Sequence, residues 1–255
     1  MRVGFDVSPL ARPHPPGLVR VVSAALAELE QRERIEVVRL APPERMPTAH
    51  WRQRVLPREV VARGLVGLHS FVSAFAWRGP GARVQTIHEL PWRHGVRENA
   101  DWRHRAWALL GPRRADAVVT ASARVAAEIG PRGKVRVVPW GVGPPFGPDP
   151  RSGRIDEPLL GRYRLGEGAF ALCPGAVRAK KDLASAIGAL ACLRARGGPD
   201  LRLVVTGEPT GDLRRDLGLA SRLGLSRWIS TPGRIEDEDL AGLYRLASVV
   251  VVLSR

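Results

Sequence analysis

Long apolar runs are missing from this sequence, and their absence limits where the protein can reside. The longest uninterrupted aliphatic stretch is 249–253, far shorter than the roughly 20 residues that a membrane-spanning helix requires. The N-terminal residues also lack the apolar segment of a secretory signal. We therefore expect a cytoplasmic protein, and peripheral contact with the inner face of a membrane remains an open alternative.

Cysteine is scarce as well. The two cysteines, Cys173 and Cys192, form no Cys-x-x-Cys pair, which excludes a disulfide framework and a cysteine zinc site. We expect both to be small buried side chains. The histidines are scattered at spacings that do not suit metal ligation, so we predict neither a metal nor a cofactor.

Lysine is rare among the basic residues: only 3 of the 40 are lysine, in a chain with a formal charge of +15. A positive excess favours polyanionic partners such as nucleic acid, anionic lipid or phosphorylated ligands. An arginine bias beside abundant alanine, glycine and proline reflects codon composition more readily than selection for a partner. We therefore expect no nucleic-acid binding.

What the chain does contain is a regular alternation of short β-branched runs with amphipathic segments, which is typical of an α/β protein with parallel sheets. Residues 140–158 interrupt it with five prolines and four glycines and are predicted to connect two domains, 1–150 and 151–255. The predicted strands are 2–7, 35–40, 66–69, 82–88, 117–120, 134–138, 170–173, 201–206, 228–230 and 248–253. The predicted helices are 18–30, 51–63, 98–113, 122–129, 182–196, 210–223 and 237–246.

The first half of the chain places two candidate binding features after its strands. Gly17 lies between the first strand and the first helix, where free amides and the helix dipole suit an anion, although an ordinary turn is an equal explanation. His88 and Glu89 come at the end of the strand 82–88. Ligands of doubly wound sheets bind beyond the carboxyl ends of strands, so this pair is well placed for chemistry. A purely structural histidine is the alternative.

The second half places a cluster of cations between its first strand and its first helix. Arg178, Lys180 and Lys181 gather where the helix dipole disfavours positive charge, so an anion such as phosphate would stabilise them. A solvated basic turn is the alternative, but two of the three lysines of the chain fall here. The segment 175–182 therefore predicts a phosphate-binding loop.

Two later turns lie at the same predicted sheet edge. Gly207 and Glu208 follow the strand 201–206, and Arg234 and Ile235 precede the helix 237–246. Backbone groups in such positions could hold a nucleotide base through main-chain hydrogen bonds. Taken alone, each of them is an ordinary turn.

Four tryptophans, Trp51, Trp77, Trp92 and Trp102, are each followed directly by arginine. Tryptophan favours the headgroup zone of a membrane and arginine binds lipid phosphate, so these pairs indicate a membrane-facing patch. Chance in an arginine-rich chain is an equal explanation.

In their order along the chain, these segments resemble the family 4 glycosyltransferases of the GT-B fold, over essentially all of the chain. The resemblance implies an α/β protein with two Rossmann-like domains facing a cleft. The second domain would be incomplete, because the chain stops before the family's Glu-Gly-Phe-Gly-Leu-Pro segment. The residues that carry the resemblance are Gly17, Thr86-Ile87-His88-Glu89-Leu90, Ala121-Ser122, Val137-Val138-Pro139-Trp140-Gly141-Val142, Gly175 through Leu183, Val204-Val205-Thr206-Gly207-Glu208, Gly233-Arg234-Ile235 and Glu238-Asp239-Leu240.

The resemblance also implies a function. A hexose, with mannose as one candidate, would pass from a nucleotide-diphosphate sugar donor to a polysaccharide, lipid-linked or other glycan acceptor with retention of anomeric configuration. Lys181 would then grip the donor diphosphate, and His88 would face the transferred sugar. Gly17 would approach the phosphate through its amide, and Arg234 with Ile235 would lie beside the base.

One departure from the family pattern concerns the residue after Gly175. The family usually has arginine there, whereas this chain has Ala176, so Arg178 is the candidate to reach the same phosphate. Because the acidic segment is absent, we expect weak or no transferase activity from this polypeptide alone. A noncatalytic nucleotide-binding or membrane-associated module is the alternative function.

Overall fold

The computed structural model describes residues 1–96, 101–130, 133–147, 157–166 and 168–253, and the chain divides into two compact units, Met1–Gly141 and Val142–Arg255. The division falls inside the segment 140–158, for which the sequence predicts a connector, and ahead of the predicted boundary at 150. Residues 148–156 of that segment lie outside the described residues.

Strands and helices alternate along the N-terminal unit. Its elements are β1 (Arg2–Asp6), α1 (Ser8–Ala11), α2 (Pro16–Glu30), β2 (Glu36–Leu40), α3 (Thr48–His50), α4 (Leu56–Ala62), β3 (Gly67–Ser70), β4 (Ala82–Thr86), α5 (Trp102–Arg114), β5 (Ala117–Thr120), α6 (Ala123–Ile129) and β6 (Val135–Val137). The six strands form one sheet in the order β2-β1-β3-β4-β5-β6, and all neighbours are parallel. All carboxyl ends of these strands therefore lie at one edge of the sheet.

The C-terminal unit repeats this arrangement with a smaller sheet. Its elements are α7 (Glu157–Arg162), β7 (Phe170–Cys173), α8 (Leu183–Ala195), β8 (Arg202–Thr206), α9 (Gly211–Arg222), β9 (Ile229–Gly233), α10 (Asp237–Leu246) and β10 (Val249–Val250). The strand order is β10-β7-β8-β9, again with parallel neighbours. The predicted α/β class with parallel sheets is confirmed.

The central strands of the C-terminal unit bury side chains on both faces of the sheet. On β8, Leu203 and Val205 pack into the cluster that contains Ile187 of α8, whereas Val204 packs into the cluster that contains Leu243 of α10. Because both faces are covered, the strand consists of nearly continuous apolar residues rather than alternating ones. The loops that follow the strands occupy the carboxyl edge of the sheet.

Two predictions of burial are wrong. Cys192 is exposed on α8, and only Cys173 is partly buried. The aliphatic composition of 249–253 predicts a buried parallel strand, but within the described residues only Val249 and Val250 pair with β7, and both are exposed. Within the described residues β10 is an edge strand with β7 as its one neighbour, so it lacks the cover that a central strand receives.

The pair Trp51 and Arg52 does not belong to a membrane-facing patch, which corrects that part of the interpretation. Trp51 is fully buried, in a π-helical turn, Trp51–Val55, between α3 and α4. Arg52 also turns inward, and its Nε donates to the buried carboxylate of Asp6 at 2.5 Å. Neither side chain can reach a lipid surface.

Several helices differ from the predictions. The helix predicted over 98–113 begins at Trp102, where Asp101 caps it by accepting hydrogen bonds from the amides of Arg103 and His104; residues 97–100 lie outside the described residues. Helix α7 was not predicted and occupies part of the proline-rich segment. In the part of the chain that the structure describes, no helix combines the length and apolarity needed to cross a bilayer.

Candidate functional site

At the carboxyl edge of the C-terminal sheet, the loops after β7 and β8 are hydrogen-bonded to the last residues of the neighbouring strands. The amide of Gly175 donates to Oγ1 of Thr206 at 3.2 Å. The amide of Gly207 donates to the carbonyl of Gly233 at 2.7 Å. Segments that are distant in the sequence are thereby joined into one surface.

Gly207 lies at a close contact between the loop after β7 and the loop after β8. Its φ of +107° lies in the region that favours glycine, and a Cβ atom built there would lie 2.4 Å from the backbone nitrogen of Ala176. The backbones of the two loops therefore touch only because residue 207 has no side chain. Glycine at this position allows the loop after β7 to pack directly against the loop after β8.

Residues at the start of α9 also form hydrogen bonds with the loop after β7. Thr210, the N-cap residue of α9, accepts from the amide of Leu213 and donates its hydroxyl to the carbonyl of Val177. Asp212 accepts from the amide of Ala179 at 2.9 Å. The segment 175–182 is thus fixed at several points along its length.

Lys181 ends a short 3-10 turn, Ala179–Lys181. It is half-buried, as are Lys180 in the same turn and Arg178 directly before it. The following residue, Asp182, has a left-handed backbone with φ of +49° and leads directly into α8. Within the described residues, the Lys181 ammonium has neither a hydrogen bond nor an ion pair with the protein. This cation is therefore available to an anionic ligand.

A recess opens beside Lys181. Its volume is about 20 Å³, which admits a water molecule rather than a phosphoryl group, so a diphosphate would lie at its mouth.

Cys173 is one of the residues that line this recess. Burial raises the pKa of the Cys173 thiol to about 11, which keeps this thiol protonated and unreactive at neutral pH. The lining residues are Cys173, Pro174, Gly175, Val177, Lys181, Leu183, Ala186, Val205, Val251, Val252 and Leu253.

The remaining predicted residues of this unit lie around the loops after β8 and β9. The guanidinium of Arg234 lies 3.7 Å from a carboxylate oxygen of Glu208, and both side chains are exposed. An exposed ion pair of this kind contributes little to stability, so breaking it to contact a ligand would require little free energy. Ile235 is buried in the core with Leu172 and Val204, so only its main chain is available to a ligand.

In the N-terminal unit, His88 and Glu89 follow β4, which ends at Thr86. His88 Nε2 donates to the Phe71 carbonyl at 2.7 Å, since a carbonyl oxygen can only accept. The neutral imidazole then presents Nδ1 as an acceptor. Burial lowers the pKa of His88, although the Phe71 hydrogen bond and the charge of Glu89 oppose this shift.

The Trp140 ring lies 5.5 Å from the His88 ring, a contact that the sequence did not indicate. Because the Trp140 ring packs beside the imidazole, Trp140→Ala should increase the exposure of His88 and move its pKa up toward the ordinary histidine value. The measurement is the NMR titration of the His88 ring C–H signals, with Trp102→Ala at an exposed position as the control. An unchanged His88 midpoint in Trp140→Ala would contradict this role.

Gly17 is exposed at the start of α2, as predicted for a helix N-terminus. The expectation of several free amides is wrong, however, because Pro15 and Pro16 have no N–H group. The amides of Leu18 and Val19 both donate to the Pro15 carbonyl. Of the amides from 15 to 19, only that of Gly17 makes no hydrogen bond within the described residues.

A buried polar network at the end of β1 was missed by sequence reasoning. Besides Arg52, the fully buried carboxylate of Asp6 accepts from the Ser70 hydroxyl at 3.1 Å and from the Ser8 amide at 3.0 Å. Arg52 also donates to the Ser8 hydroxyl at 2.7 Å. The network fixes the chain where it leaves β1 for α1. The carboxylate at a strand end was visible in the sequence, but its partners from β3 and the π-helical turn were not.

No protein-family model and no curated protein matches the chain, but solved structures do. HepE from Anabaena, solved in complex with UDP and glucose, matches with a TM-score of 0.68 at 15% identity, over 100% of this chain and 74% of HepE. The sucrose-phosphate synthase of Thermosynechococcus elongatus matches with a TM-score of 0.70 at 18% identity, over 99% of this chain and 75% of the synthase.

WaaG, a glycosyltransferase involved in lipopolysaccharide biosynthesis, matches with a TM-score of 0.66 at 15% identity, over 99% of this chain and 75% of WaaG. The chain has the GT-B fold. The GT-B fold combines two Rossmann-like α/β units, so the prediction of two such units is confirmed. In the described part of this GT-B chain, no group of three or more His, Cys, Asp or Glu side chains is arranged to hold a metal ion.

Proposed function

We propose that the chain acts as a retaining glycosyltransferase that moves a hexose from a nucleotide-diphosphate sugar to a glycan or lipid-linked acceptor. The observation that carries this proposal is Lys181. Its ammonium lies beside the recess at the carboxyl edge of a parallel sheet, and the described residues provide no partner for it. Ligands of open α/β sheets bind at that edge, and the GT-B fold supports the assignment.

The chemistry of sugar transfer explains why a cation is needed there. When the anomeric C–O bond breaks, positive charge develops on the sugar ring and negative charge on the departing diphosphate. Lys181 would stabilise that diphosphate, and the positive end of the α8 dipole, which begins directly after Asp182, would add to its effect. Ala176 supplies no charge, so we assign the second cation to Arg178.

UDP is the first nucleotide to test, because the HepE structure contains UDP and glucose. In the proposed complex the base lies against the turn 233–235. The exposed Arg234 and Glu208 can separate and contact the ribose or the base there. Each offers hydrogen-bonding groups that the weak pair between them leaves largely unused.

For the N-terminal unit we assign His88 to the transferred sugar. Its Nε2–H group is occupied by the Phe71 carbonyl, so Nδ1 is the atom that can accept a hydrogen bond from a sugar hydroxyl. The lowered pKa keeps the ring neutral at physiological pH and preserves this acceptor. The amide of Gly17 is assigned to a phosphate group of the donor.

The test of the proposal is Lys181→Ala. A charge-assisted hydrogen bond contributes about 1.5 to 3 kcal/mol, so the variant should lose roughly tenfold to a hundredfold in UDP affinity and in transfer rate. Calorimetry measures UDP binding, and a panel of nucleotide sugars with glycan and lipid-linked acceptors measures transfer.

Lys180→Ala is the matched control, since it removes the same charge from the adjacent residue of the same turn. Equal UDP binding by the wild type and Lys181→Ala would refute the phosphate assignment. Because weak or no transfer is expected from this polypeptide, UDP affinity decides the phosphate assignment. Binding of UDP that depends on Lys181 without detectable product is also the behaviour of the alternative, a noncatalytic nucleotide-binding module.

A further inference from the structure

Helix α5 presents an unusual outer surface. Its thirteen residues include four arginines and two tryptophans and no acidic residue. Five exposed residues on its solvent side combine large apolar groups with positive charge. We call this surface the α5 face; it consists of Trp102, Arg103, Leu109, Leu110 and Arg113.

The opposite side of α5 is held firmly against the sheet. Ala108, Gly111 and Pro112 are buried, and a Cβ on Gly111 would lie 2.3 Å from the side-chain nitrogen of Gln85. Gln85 itself donates to the carbonyl of Trp107 at 3.0 Å. The helix cannot rotate to bury its outer residues without breaking these contacts.

The apolar residues of the α5 face are large and well exposed. The exposed fraction is 73% for Trp102, 44% for Leu109 and 46% for Leu110. These residues occupy positions i, i+7 and i+8, so they lie along one side of the helix. Their exposure leaves apolar surface in contact with water. A suitable partner would cover that surface.

The charge on the same surface indicates which partner fits. Neither Arg103 nor Arg113 forms an ion pair with a carboxylate in the described part of the chain, and the Arg103 guanidinium lies 5.4 Å from the Trp102 ring centre. Arginine binds lipid phosphate, whereas tryptophan and leucine insert at the boundary between headgroups and acyl chains. Nucleic acid would match the arginines but would leave the two leucines in water.

From this combination we infer that the α5 face docks on a membrane surface that contains anionic lipid. The helix lies along the surface, with Trp102, Leu109 and Leu110 inserted and with Arg103 and Arg113 at the level of the phosphates. This inference does not depend on the proposed sugar transfer, since it concerns residues that are absent from the candidate site.

Co-sedimentation of the chain with vesicles tests the inference. The wild type should bind vesicles of phosphatidylcholine mixed with phosphatidylglycerol, and bind much more weakly to vesicles of phosphatidylcholine alone. Two double variants, Leu109→Ser with Leu110→Ser and Arg103→Gln with Arg113→Gln, should each reduce the partitioning roughly tenfold or more. All four positions are exposed, so far-UV circular dichroism should remain that of the wild type.

The matched control replaces an exposed arginine and an exposed leucine elsewhere, Arg222→Gln with Leu223→Ser, at the end of α9. This control should keep the wild-type partitioning. Failure of the wild type to bind the anionic vesicles at physiological salt would overturn the inference, and so would equal loss in the control and in the α5 variants. Equal binding to both kinds of vesicle would overturn the role of the arginines.

Discussion

Replacement of Gly207 by alanine should lower the free energy of unfolding of the C-terminal unit by on the order of 3 kcal/mol. The added Cβ would meet the backbone of Gly175 and Ala176 at 2.4 to 2.8 Å, and a backbone cannot move aside as a flexible side chain can. The φ of +107° adds a penalty for any residue other than glycine. The loop after β7 must shift, and Lys181 with it.

Two measurements follow this change. Amide hydrogen exchange of β7 and β8 reports the stability of this sheet separately from the N-terminal unit. Calorimetry with UDP reports the site, and the affinity should fall at least as far as in Lys181→Ala, because the whole loop is displaced.

Gly188→Ala is the control for this substitution. Gly188 lies inside α8 and no atom lies within 4 Å of its Cβ position, so alanine there should stabilise the unit by about 0.5 to 1 kcal/mol. The same chemical change thus has opposite effects at two glycines of one unit. If Gly207→Ala left the hydrogen exchange of β7 unchanged, the close contact between the two loops would be refuted.

Apart from β9 and β10, the sequence predicted the strands of both units well, because their positions depend on local composition. In β8, for example, the apolar run and the glycine that follows it define the strand and its end within one residue of the observed bounds. In α10, the acidic first turn and the apolar spacing predicted the observed helix, Asp237–Leu246. Such signals act over a few neighbouring residues, so they can be recognised in a single sequence.

The contacts that organise the candidate site were not predictable in this way. In the sequence, Gly207 looks like any turn glycine, because no adjacent residue indicates that Ala176 lies where a side chain at position 207 would be. Asp6 ends a strand, but Arg52 reaches it only because a π-helical turn directs that side chain inward. Long-range pairs depend on how loops cross at a sheet edge, and residue spacing does not encode that crossing.

His69 is another residue that the sequence did not single out. Its burial should make the stability of the N-terminal unit fall in acid. It lies on β3 with its ring near those of Phe5 and Phe71, and its Nε2 lies 2.9 Å from Oγ1 of the buried Thr86. Burial lowers the pKa of His69 to about 4, an effect that the charge of Asp6 opposes only in part.

The sign of the pH effect follows from proton binding. Between about pH 6.5 and pH 4 the unfolded chain binds a proton at His69 that the folded chain does not bind, so lowering the pH favours unfolding. The full difference corresponds to about 3 kcal/mol, absent above the ordinary histidine pKa and complete near pH 4. His88, whose pKa is also lowered, shifts stability in the same direction.

Urea unfolding followed by tryptophan fluorescence measures this effect in the correct unit, because six of the seven tryptophans lie in residues 1–141. The wild type should lose about 3 kcal/mol more than His69→Gln between about pH 7 and pH 4, since glutamine cannot take up the proton. The exposed His50→Gln controls for the loss of one histidine from the chain. If the wild type and His69→Gln lost the same stability, the acid sensitivity would have to come from other groups. Equal losses would mean that His69 takes up its proton as readily in the folded protein as in the unfolded chain, which would contradict the effect of its burial.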